Sequence, residues 1–214
     1  NCDRRLGNKF FVKNIILDKI NAKLVTVGFD YRFGYKASGD VNYLNELASK
    51  YDFSVKVVEP VYVDNAIVSS SKIRELIANG KIGETIRNLG RPYSLIGKVV
   101  PGSNRGNKLG FPTANIELVD NYVIPKTGVY VTSTIIDNKK YISATNIGYN
   151  PTFNEDILKI ETHILNFEGN IYGKTIEIEF IDFLRDDIKF DNSGDLIEQM
   201  KKDVELVRNA FNKN

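Results

Sequence analysis

The first part of the chain alternates between helical and extended hydrophobic periods. Apolar residues recur at helical spacing over 11–20, and a short apolar run then ends at Gly28. A second helical stripe follows Asp40, whose side chain can cap a helix, and residues 53–58 form another strand-like run. Strand, helix and strand at this spacing predict a βαβ unit with a parallel sheet.

Two short helices are predicted next. Ser70 or Ser71 can cap the first helix, and Gly80 ends it. The second helix covers residues 84–89 and ends at Gly90. The α/β pattern therefore extends to about residue 90.

The hydrophobic period changes to two after Arg91-Pro92. The strand-like runs are 95–100, 129–136, 141–147, 160–167 and 175–181, and an amphipathic helix covers 195–211. Short strands separated by Pro, Gly and Asn turns predict an antiparallel barrel or sandwich. The helix is expected to pack on the outside of the barrel or to cover one end.

Composition is that of an ordinary globular protein. Of 214 residues, 42% are apolar and 26% charged, and the net charge of +2 argues against a broad nucleic-acid footprint. The single cysteine, Cys2, excludes an internal disulfide and favours a reducing, cytoplasmic location. No run approaches the length of a membrane span, and no signal segment is recognised. The chain lacks an initiator Met, so we expect it to be the remainder of a longer protein.

A glycine-rich loop follows the first predicted strand of the second half. Gly102, Gly106 and Gly110 alternate with the cationic residues Arg105 and Lys108. Exposed backbone N–H groups and positive charge can bind a polyphosphate. A mobile hairpin connection with solvated charges explains the same residues, and composition alone favours this second interpretation.

Thr113 and Asn115 come directly after the loop. In an extended segment their side chains share a face. Neutral oxygen ligands beside a phosphate loop suit Mg²⁺, which keeps substrate phosphates and waters as further ligands. Hydrogen bonds to the local backbone are the alternative, and the residues alone favour it.

The predicted strand 160–167 carries a carboxylate and the only histidine. Alternation places Glu161 and His163 on one face, opposite Thr162. Glu161 is either a general base for an alcohol or an exposed residue on the barrel surface. His163 has no second metal ligand or nucleophile near it in the sequence, so we interpret it as structural.

Several of these motifs together resemble those of riboflavin kinases, over residues 93–211. The motifs are Gly102 to Asn115, Gly128-Val129-Tyr130, Asn146-Ile147-Gly148 with Pro151-Thr152-Phe153, Glu161-Thr162-His163, Tyr172-Gly173-Lys174 and Leu184-Arg185-Asp186. The resemblance implies a Greek-key antiparallel β-barrel with a C-terminal helix. It also implies transfer of the ATP γ-phosphate to the ribityl 5′-hydroxyl of riboflavin, which gives FMN.

The resemblance implies a role for each matching residue. Glu161 would be the general base, Thr113 and Asn115 would bind Mg²⁺, and Arg185 would lie near the flavin. The implied ATP and phosphate contacts are Gly102, Arg105, Gly106, Lys108, Gly110, Thr113 and Asn115. The chain departs from the family at Asn107, where arginine is usual. Lys108 can supply that charge.

The first half resembles part of an FMN adenylyltransferase domain, an incomplete Rossmann-like nucleotidyltransferase. The matching residues are Asp30, Arg32, Ser69, Ser70, Ser71 and Arg74. The family's His-x-x-His-type ATP motif has no counterpart here, so we expect no competent adenylyltransferase in this chain. The expected domains are 1–92 and 93–214. The complete protein would be a bifunctional enzyme of FAD biosynthesis.

Two other functions remain open at this point. One is a non-catalytic barrel that binds flavin or nucleotide; flavin binding without phosphorylation would favour it. The other is a nucleic-acid-binding module, against which Glu177 and Glu179 count because they place acidic side chains on a strand face. We expect ATP and riboflavin as partners, with no nucleic acid and no membrane. The sequence does not indicate an oligomeric state.

Overall fold

The computed structural model of the chain describes residues 7–102, 106, 109–152, 155–190 and 192–212. Contacts divide the chain into two compact units, Asn1–Val68 and Ser69–Asn214. This division lies upstream of the expected boundary between 92 and 93, which rests on motif resemblance and stays a prediction. No helix among the described residues is long and apolar enough to cross a bilayer.

The first unit is built on a two-stranded parallel sheet. Its elements are α1 (Asn8–Phe10), a π-helical segment (Phe11–Leu17), β1 (Leu24–Gly28), a 3-10 turn (Tyr35–Ala37), α2 (Val41–Tyr51), β2 (Ser54–Val58), β3 (Tyr62–Val63) and β4 (Ala66–Ile67). Strands β1 and β2 pair in parallel with α2 between them in sequence, which confirms the predicted βαβ unit.

Helix α2 has the predicted start and a buried inner face. The Asp40 side chain accepts a hydrogen bond of 2.9 Å from the backbone N–H of Tyr43, which satisfies one free donor of the first turn. Asp52 ends the helix in the left-handed conformation, at φ 54°. Leu44 and Leu47 are almost fully buried in the core of this unit.

Over its described residues, the second unit contains a six-stranded closed barrel and three helices longer than one turn. In chain order its elements are α3 (Ser70–Ala78), α4 (Ile82–Leu89), β5 (Tyr93–Val100), β6 (Ala114–Leu118), β7 (Gly128–Ile136), β8 (Lys139–Thr152), β9 (Glu155–Ile164), β10 (Thr175–Arg185) and α5 (Ser193–Asn212). The strands close in the order β10-β5-β6-β9-β8-β7, and all of their pairings are antiparallel.

The connections are those of a Greek key. Strands β7, β8 and β9 pair consecutively, and β10 returns to pair with β7, while β6 pairs with β9. This confirms the Greek-key barrel that the resemblance implies. It also brings β6 and β9 side by side, although more than 30 residues separate them in the sequence.

Strand alternation builds the barrel core. Ile176, Ile178 and Phe180 of β10 point inward and are at most 1% exposed. Gly97 permits the close approach of β5 and β6, because a Cβ there would lie 2.3 Å from the Ile116 Cγ2 atom.

A row of hydroxyl groups crosses the same interior. Its members, all fully buried, are Thr132, Thr134, Ser143, Thr145 and Thr162. Thr145 is central, with its Oγ1 atom 2.8 Å from that of Thr132 and 2.9 Å from that of Thr162. The buried hydroxyls therefore satisfy one another.

Helix α5 packs on the outside of the barrel, one of the two predicted positions. Val207 on its inner face is fully buried, in a cluster with Val131 of β7 and Leu165. The amphipathic stripe of residues 195–211 thus covers the outer wall, and the helix begins two residues earlier than predicted.

Some predicted boundaries were wrong. Ser69 caps α3 by accepting the backbone N–H of Lys72 at 3.2 Å, so the cap is neither Ser70 nor Ser71. Strand β9 ends at Ile164 and does not continue to residue 167, because Asn166 adopts a left-handed φ of 56°. Strands β3, β4 and β6 were not predicted at all.

Candidate active site

Three polar side chains form a row across adjacent strands on the outer wall of the barrel. Glu161 of β9 lies directly opposite Asn115 of β6 on one side and Asn146 of β8 on the other. Its neighbours Ile160 and Thr162 point into the barrel, so Glu161 points outward. Directly opposite residues share a face with Cβ atoms about 5 Å apart, so the carboxylate lies between two carboxamides.

The row opens into a cavity of about 330 Å³, a size typical of small-molecule sites. Apolar side chains cover it, with Leu196 and Met200 from α5 and Ile188 and Phe190 from the segment after β10. The polar lining includes Thr113, Asn115, Asn146, Glu161, His163 and Asp187. The predicted shared face of Thr113 and Asn115 is confirmed, since both line this cavity.

Two of the predicted loop glycines touch the polar lining. A Cβ at Gly102 would lie 2.0 Å from Asn115 Nδ2, and one at Gly106 would lie 2.4 Å from the Phe111 carbonyl oxygen. A side chain at Gly102 would displace Asn115 beside Glu161, and one at Gly106 would displace the segment before Thr113. Gly110 has a φ of 85°, which favours glycine. Arg105, Asn107 and Lys108 lie outside the described residues.

His163 holds the residues that precede Thr113. Its Nδ1 atom lies 2.8 Å from the carbonyl oxygen of Pro112, and since a carbonyl can only accept, Nδ1 carries the hydrogen. Its ring also packs edge-on against Phe111, with 5.5 Å between the centroids. The histidine interpreted as structural thus lines the cavity and is anchored to the segment that carries Thr113.

Arg185 lines the cavity and forms a buried ion pair with Asp203 of α5. The guanidinium donates through Nε at 3.0 Å and through Nη2 at 2.7 Å to the two carboxylate oxygens. Nη1 donates to the Asp186 carbonyl oxygen, and Gln199 donates to Asp203 at 2.8 Å. The residue expected near the flavin therefore joins the end of β10 to α5.

A second cavity of about 510 Å³ shares one lining residue, Thr113, with the first. It lies by the end of the barrel where β9 is followed by residues 167–172, and Phe167, Ile171 and Tyr172 contribute to its lining. Because Thr113 lines both cavities, a group bound in each could approach the other at that residue.

The residues matched to the adenylyltransferase motifs are all exposed. In the first unit, Arg32 forms an ion pair of 3.6 Å with Asp40, and the Asp30 carboxylate lies near Gly28. In the second unit, exposed residues of α3 carry the other motif. These are its cap Ser69 and the residues Ser70, Ser71 and Arg74.

Comparison with known proteins identifies the family. The family model described as riboflavin kinase matches residues 89–211, and the one described as FAD synthetase matches residues 4–72. A bifunctional riboflavin kinase/FMN adenylyltransferase of Buchnera aphidicola subsp. Schizaphis graminum is 37% identical over 97% of this chain and 67% of its own length. The chain belongs to the bifunctional riboflavin kinase/FMN adenylyltransferase family. The Listeria monocytogenes protein of the same name is 37% identical over 97% of this chain and 66% of its own length.

The chain spans about two thirds of the length of these family members. The same fold occurs in a crystal structure entitled macrolide-efflux protein from Streptococcus pneumoniae, with a TM-score of 0.87 and 35% identity. That similarity covers 96% of this chain and 66% of the other.

Family membership confirms the expected kinase function. The barrel is a riboflavin kinase domain, an enzyme that phosphorylates riboflavin to FMN. The alternative of a non-catalytic binding barrel finds no support in these matches. FMN adenylyltransferase is the second activity in the names of the relatives.

Sequence reasoning missed two features of the site. Asn146 was noted within a family motif but given no role, although strand alternation puts this polar residue on one face with the apolar Ile142 and Ala144, which was a usable signal. The second cavity had no signal in the sequence, because it depends on how the end of β9 and the residues after it fold beside Thr113.

Proposed function

We propose that Glu161 is the general base that accepts the proton of the riboflavin 5′-hydroxyl as this oxygen attacks the ATP γ-phosphorus. The supporting observation is the row of Asn115, Glu161 and Asn146 in an apolar-covered cavity. A new oxygen–phosphorus bond forms, the bond to the bridging oxygen of ADP breaks, and the proton moves to the Glu161 carboxylate. Such transfers rest mainly on alignment and charge neutralisation.

The two cavities support an arrangement with both substrates bound at once. Glu161 lines only the first cavity, so this one is assigned to riboflavin, whose hydroxyl must reach the base. The second cavity is assigned to the nucleoside part of ATP. The phosphates would then cross between the cavities at Thr113, in line with the attacking oxygen.

The residues at this crossing fit Mg²⁺. Thr113 and Asn115 offer neutral oxygens, and the described residues contain no cluster of three or more His, Cys, Asp or Glu side chains that could hold a metal alone. Such a donor set suits an ion that keeps substrate phosphates as ligands. Bound there, Mg²⁺ would neutralise the charge that the phosphates carry and develop.

The glycine-rich loop is proposed to cover the ATP phosphates. Gly102 lies beside Asn115 and Gly106 beside the segment before Thr113, and the positions of these two glycines support the proposal. Gly110, with Arg105 and Lys108, completes the proposed set of phosphate contacts. Backbone N–H groups and cationic side chains are the usual partners of phosphate oxygens.

Arg185 remains the proposed residue on the flavin side. It lines the riboflavin cavity, but its bonds to Asp203 and to the Asp186 carbonyl occupy much of its guanidinium. These bonds support a role in which Arg185 shapes the cavity wall and presents its remaining donors to the flavin.

Adenylylation of FMN is proposed for the complete protein, with residues 1–92 as part of that domain and 93–214 as the kinase. The proposed contacts are Asp30, Arg32, Ser69, Ser70, Ser71 and Arg74. The only histidine of this chain is His163 in the barrel, so residues 1–92 contain no histidine motif for ATP. A cytoplasmic location is also proposed, supported by the presence of only one cysteine.

The decisive test is Glu161→Gln, which keeps the shape of the side chain and removes the base. We expect kcat for FMN formation with Mg²⁺ and ATP to fall about 10²- to 10⁴-fold, the usual contribution of a general base. Riboflavin binding, measured by quenching of flavin fluorescence, should change little.

Glu117→Gln is the matched control. Glu117 lies on β6, two residues from Asn115, but is exposed and lines neither cavity. Its substitution should leave kcat unchanged. Wild-type turnover by Glu161→Gln would exclude Glu161 as the base, and flavin binding by the wild-type chain without any FMN formation would overturn the kinase proposal itself.

A further inference from the structure

Asn146 carries a buried polar atom that lacks a partner. Its Oδ1 atom is shielded from solvent, and no described residue donates a hydrogen bond to it. Two other atoms share this state, Asn88 Oδ1 and Ser133 Oγ, but neither residue lines either cavity. Glu179 Oε2 also lacks a hydrogen bond, but it forms an ion pair with Lys140. Unpartnered buried acceptors are unfavourable in folded proteins, so each requires an explanation.

The position of Asn146 relative to Glu161 indicates which part of a substrate it faces. Asn115 flanks Glu161 on the β6 side, next to the loop glycine Gly102. Asn146 flanks Glu161 on the opposite side, on β8. If the phosphates approach from the side of Asn115, the rest of the alcohol substrate extends towards Asn146.

The surroundings of Asn146 favour a ligand with several donors. Gly148 lies beside it, where a Cβ would be in ordinary contact with Asn146 Nδ2 at 3.6 Å and Asp187 Oδ2 at 3.4 Å. Asp187 and Glu161 are carboxylates that line the same cavity. The Asn146 amide N–H group can donate to a hydroxyl oxygen and the two carboxylates can accept from hydroxyl groups, so this lining suits a polyol.

We propose that Asn146 binds a secondary hydroxyl of the ribityl chain, next to the 5′-hydroxyl at Glu161, and so selects polyol substrates. This inference rests on the proposed function. The Cβ atoms of Asn146 and Glu161 are expected about 5 Å apart, a separation that a polyol chain of a few carbons can span. The amide of Asn146 gains a hydrogen bond when the substrate binds.

The test compares riboflavin with a flavin that bears a 5-hydroxypentyl chain, which keeps the terminal hydroxyl and lacks the secondary ones. For the wild-type chain, kcat/KM should be higher with riboflavin. Asn146→Ala should lower kcat/KM for riboflavin about tenfold, the effect of one lost hydrogen bond in the transition state. For the hydroxypentyl flavin, kcat/KM should be nearly the same in both proteins.

Asn88→Ala is the matched control, because Asn88 also carries a buried Oδ1 atom without a partner and lies away from both cavities, although its Nδ2 donates to the Glu84 carbonyl oxygen. It should change neither substrate's kcat/KM. If Asn146→Ala does not fold, Asn146→Ser replaces it. Its ratio of kcat/KM for riboflavin to kcat/KM for the hydroxypentyl flavin should then be lower than the wild-type ratio but still above one.

The outcomes separate the inference from the function on which it rests. An equal loss for both substrates, or no loss with riboflavin, would overturn the role of Asn146 and leave the kinase proposal standing. A wild-type chain that phosphorylates neither flavin would overturn the proposed function and the inference together.

Discussion

The ion pair of Arg185 and Asp203 connects the end of β10 to α5 beside the cavity. The two side chains are only 19% and 7% exposed, and Gln199 completes the hydrogen bonds of the carboxylate. Removal of one partner leaves a charge that is neither hydrated nor paired. The pair therefore holds α5 in register with the cavity wall.

Asp203→Asn is expected to lower the free energy of unfolding by about 3–5 kcal/mol, because the buried Arg185 charge loses its counter-ion. Urea denaturation followed by circular dichroism measures this change. Since Leu196 and Met200 of α5 line the same cavity, KM for riboflavin should also rise.

Asp137→Asn provides the control for this prediction. Asp137 pairs with Lys174, but the two side chains are 69% and 44% exposed, so the loss should be below about 1 kcal/mol. Equal destabilisation by the two substitutions would contradict a special role for the buried pair.

At the residue scale, the sequence supported some site residues and not others. Alternation put Thr113 and Asn115 on one face, but composition favoured turn chemistry, and only the resemblance assigned them to ATP and metal. Asn146 and Glu161 are 15 residues apart, and the register that makes them neighbours belongs to the β8–β9 pairing. The sequence of either strand alone does not predict this register.

At the scale of elements, the row of buried hydroxyls crosses two strand pairings of the barrel, β7–β8 and β8–β9. Thr132 of β7, Thr145 of β8 and Thr162 of β9 bond side chain to side chain. Their methyl groups can pack with the apolar core while the hydroxyls bond to one another. The row therefore links three adjacent strands across the interior.

Thr145→Val should lower the free energy of unfolding by about 1–3 kcal/mol, because the change keeps the shape but leaves Thr132 and Thr162 with a lost partner. Thermal and urea unfolding both report the effect. Thr175→Val is the control, since Thr175 is exposed at the start of β10 and should change stability by less than about 0.5 kcal/mol. A stabilised Thr145→Val protein would show that the hydroxyl row is dispensable.

Elements with long, regular patterns were predictable, and short ones were not. The alternation of β10 and the stripe of α5 extend over many residues, so both were located correctly. Strands β3 and β4 have two residues each, too few to show a period. Strand β6 does alternate, but the glycine loop before it and Asn115 within it favoured a turn. Three consecutive serines left the cap of α3 ambiguous.

At the scale of the whole molecule, α4 belongs structurally with the barrel. Ile82 is 1% exposed and lies in the same core cluster as Leu95, with Ile86 packed against it. The motif boundary between 92 and 93 would separate α4 from that core. The contacts within the structure instead divide the chain into two units after Val68.

This difference can be measured with two fragments, 69–214 and 93–214. We expect fragment 69–214 to unfold cooperatively and to form FMN with Mg²⁺ and ATP. Fragment 93–214 should be less stable by about 2–4 kcal/mol, because it exposes the core surface that Ile82 and Ile86 cover. Urea unfolding of the two fragments under identical conditions gives the comparison.

Ile82→Ala in the full chain separates the effect of the core contact from that of chain length. It should lower the free energy of barrel unfolding by about 2–5 kcal/mol, as expected for a large-to-small change at a buried site. Ile67→Ala, at a position 40% exposed in the first unit, should leave barrel unfolding unchanged. If fragment 93–214 equals fragment 69–214 in stability, and Ile82→Ala is neutral, then the kinase domain begins at residue 93 and α4 is an appendage.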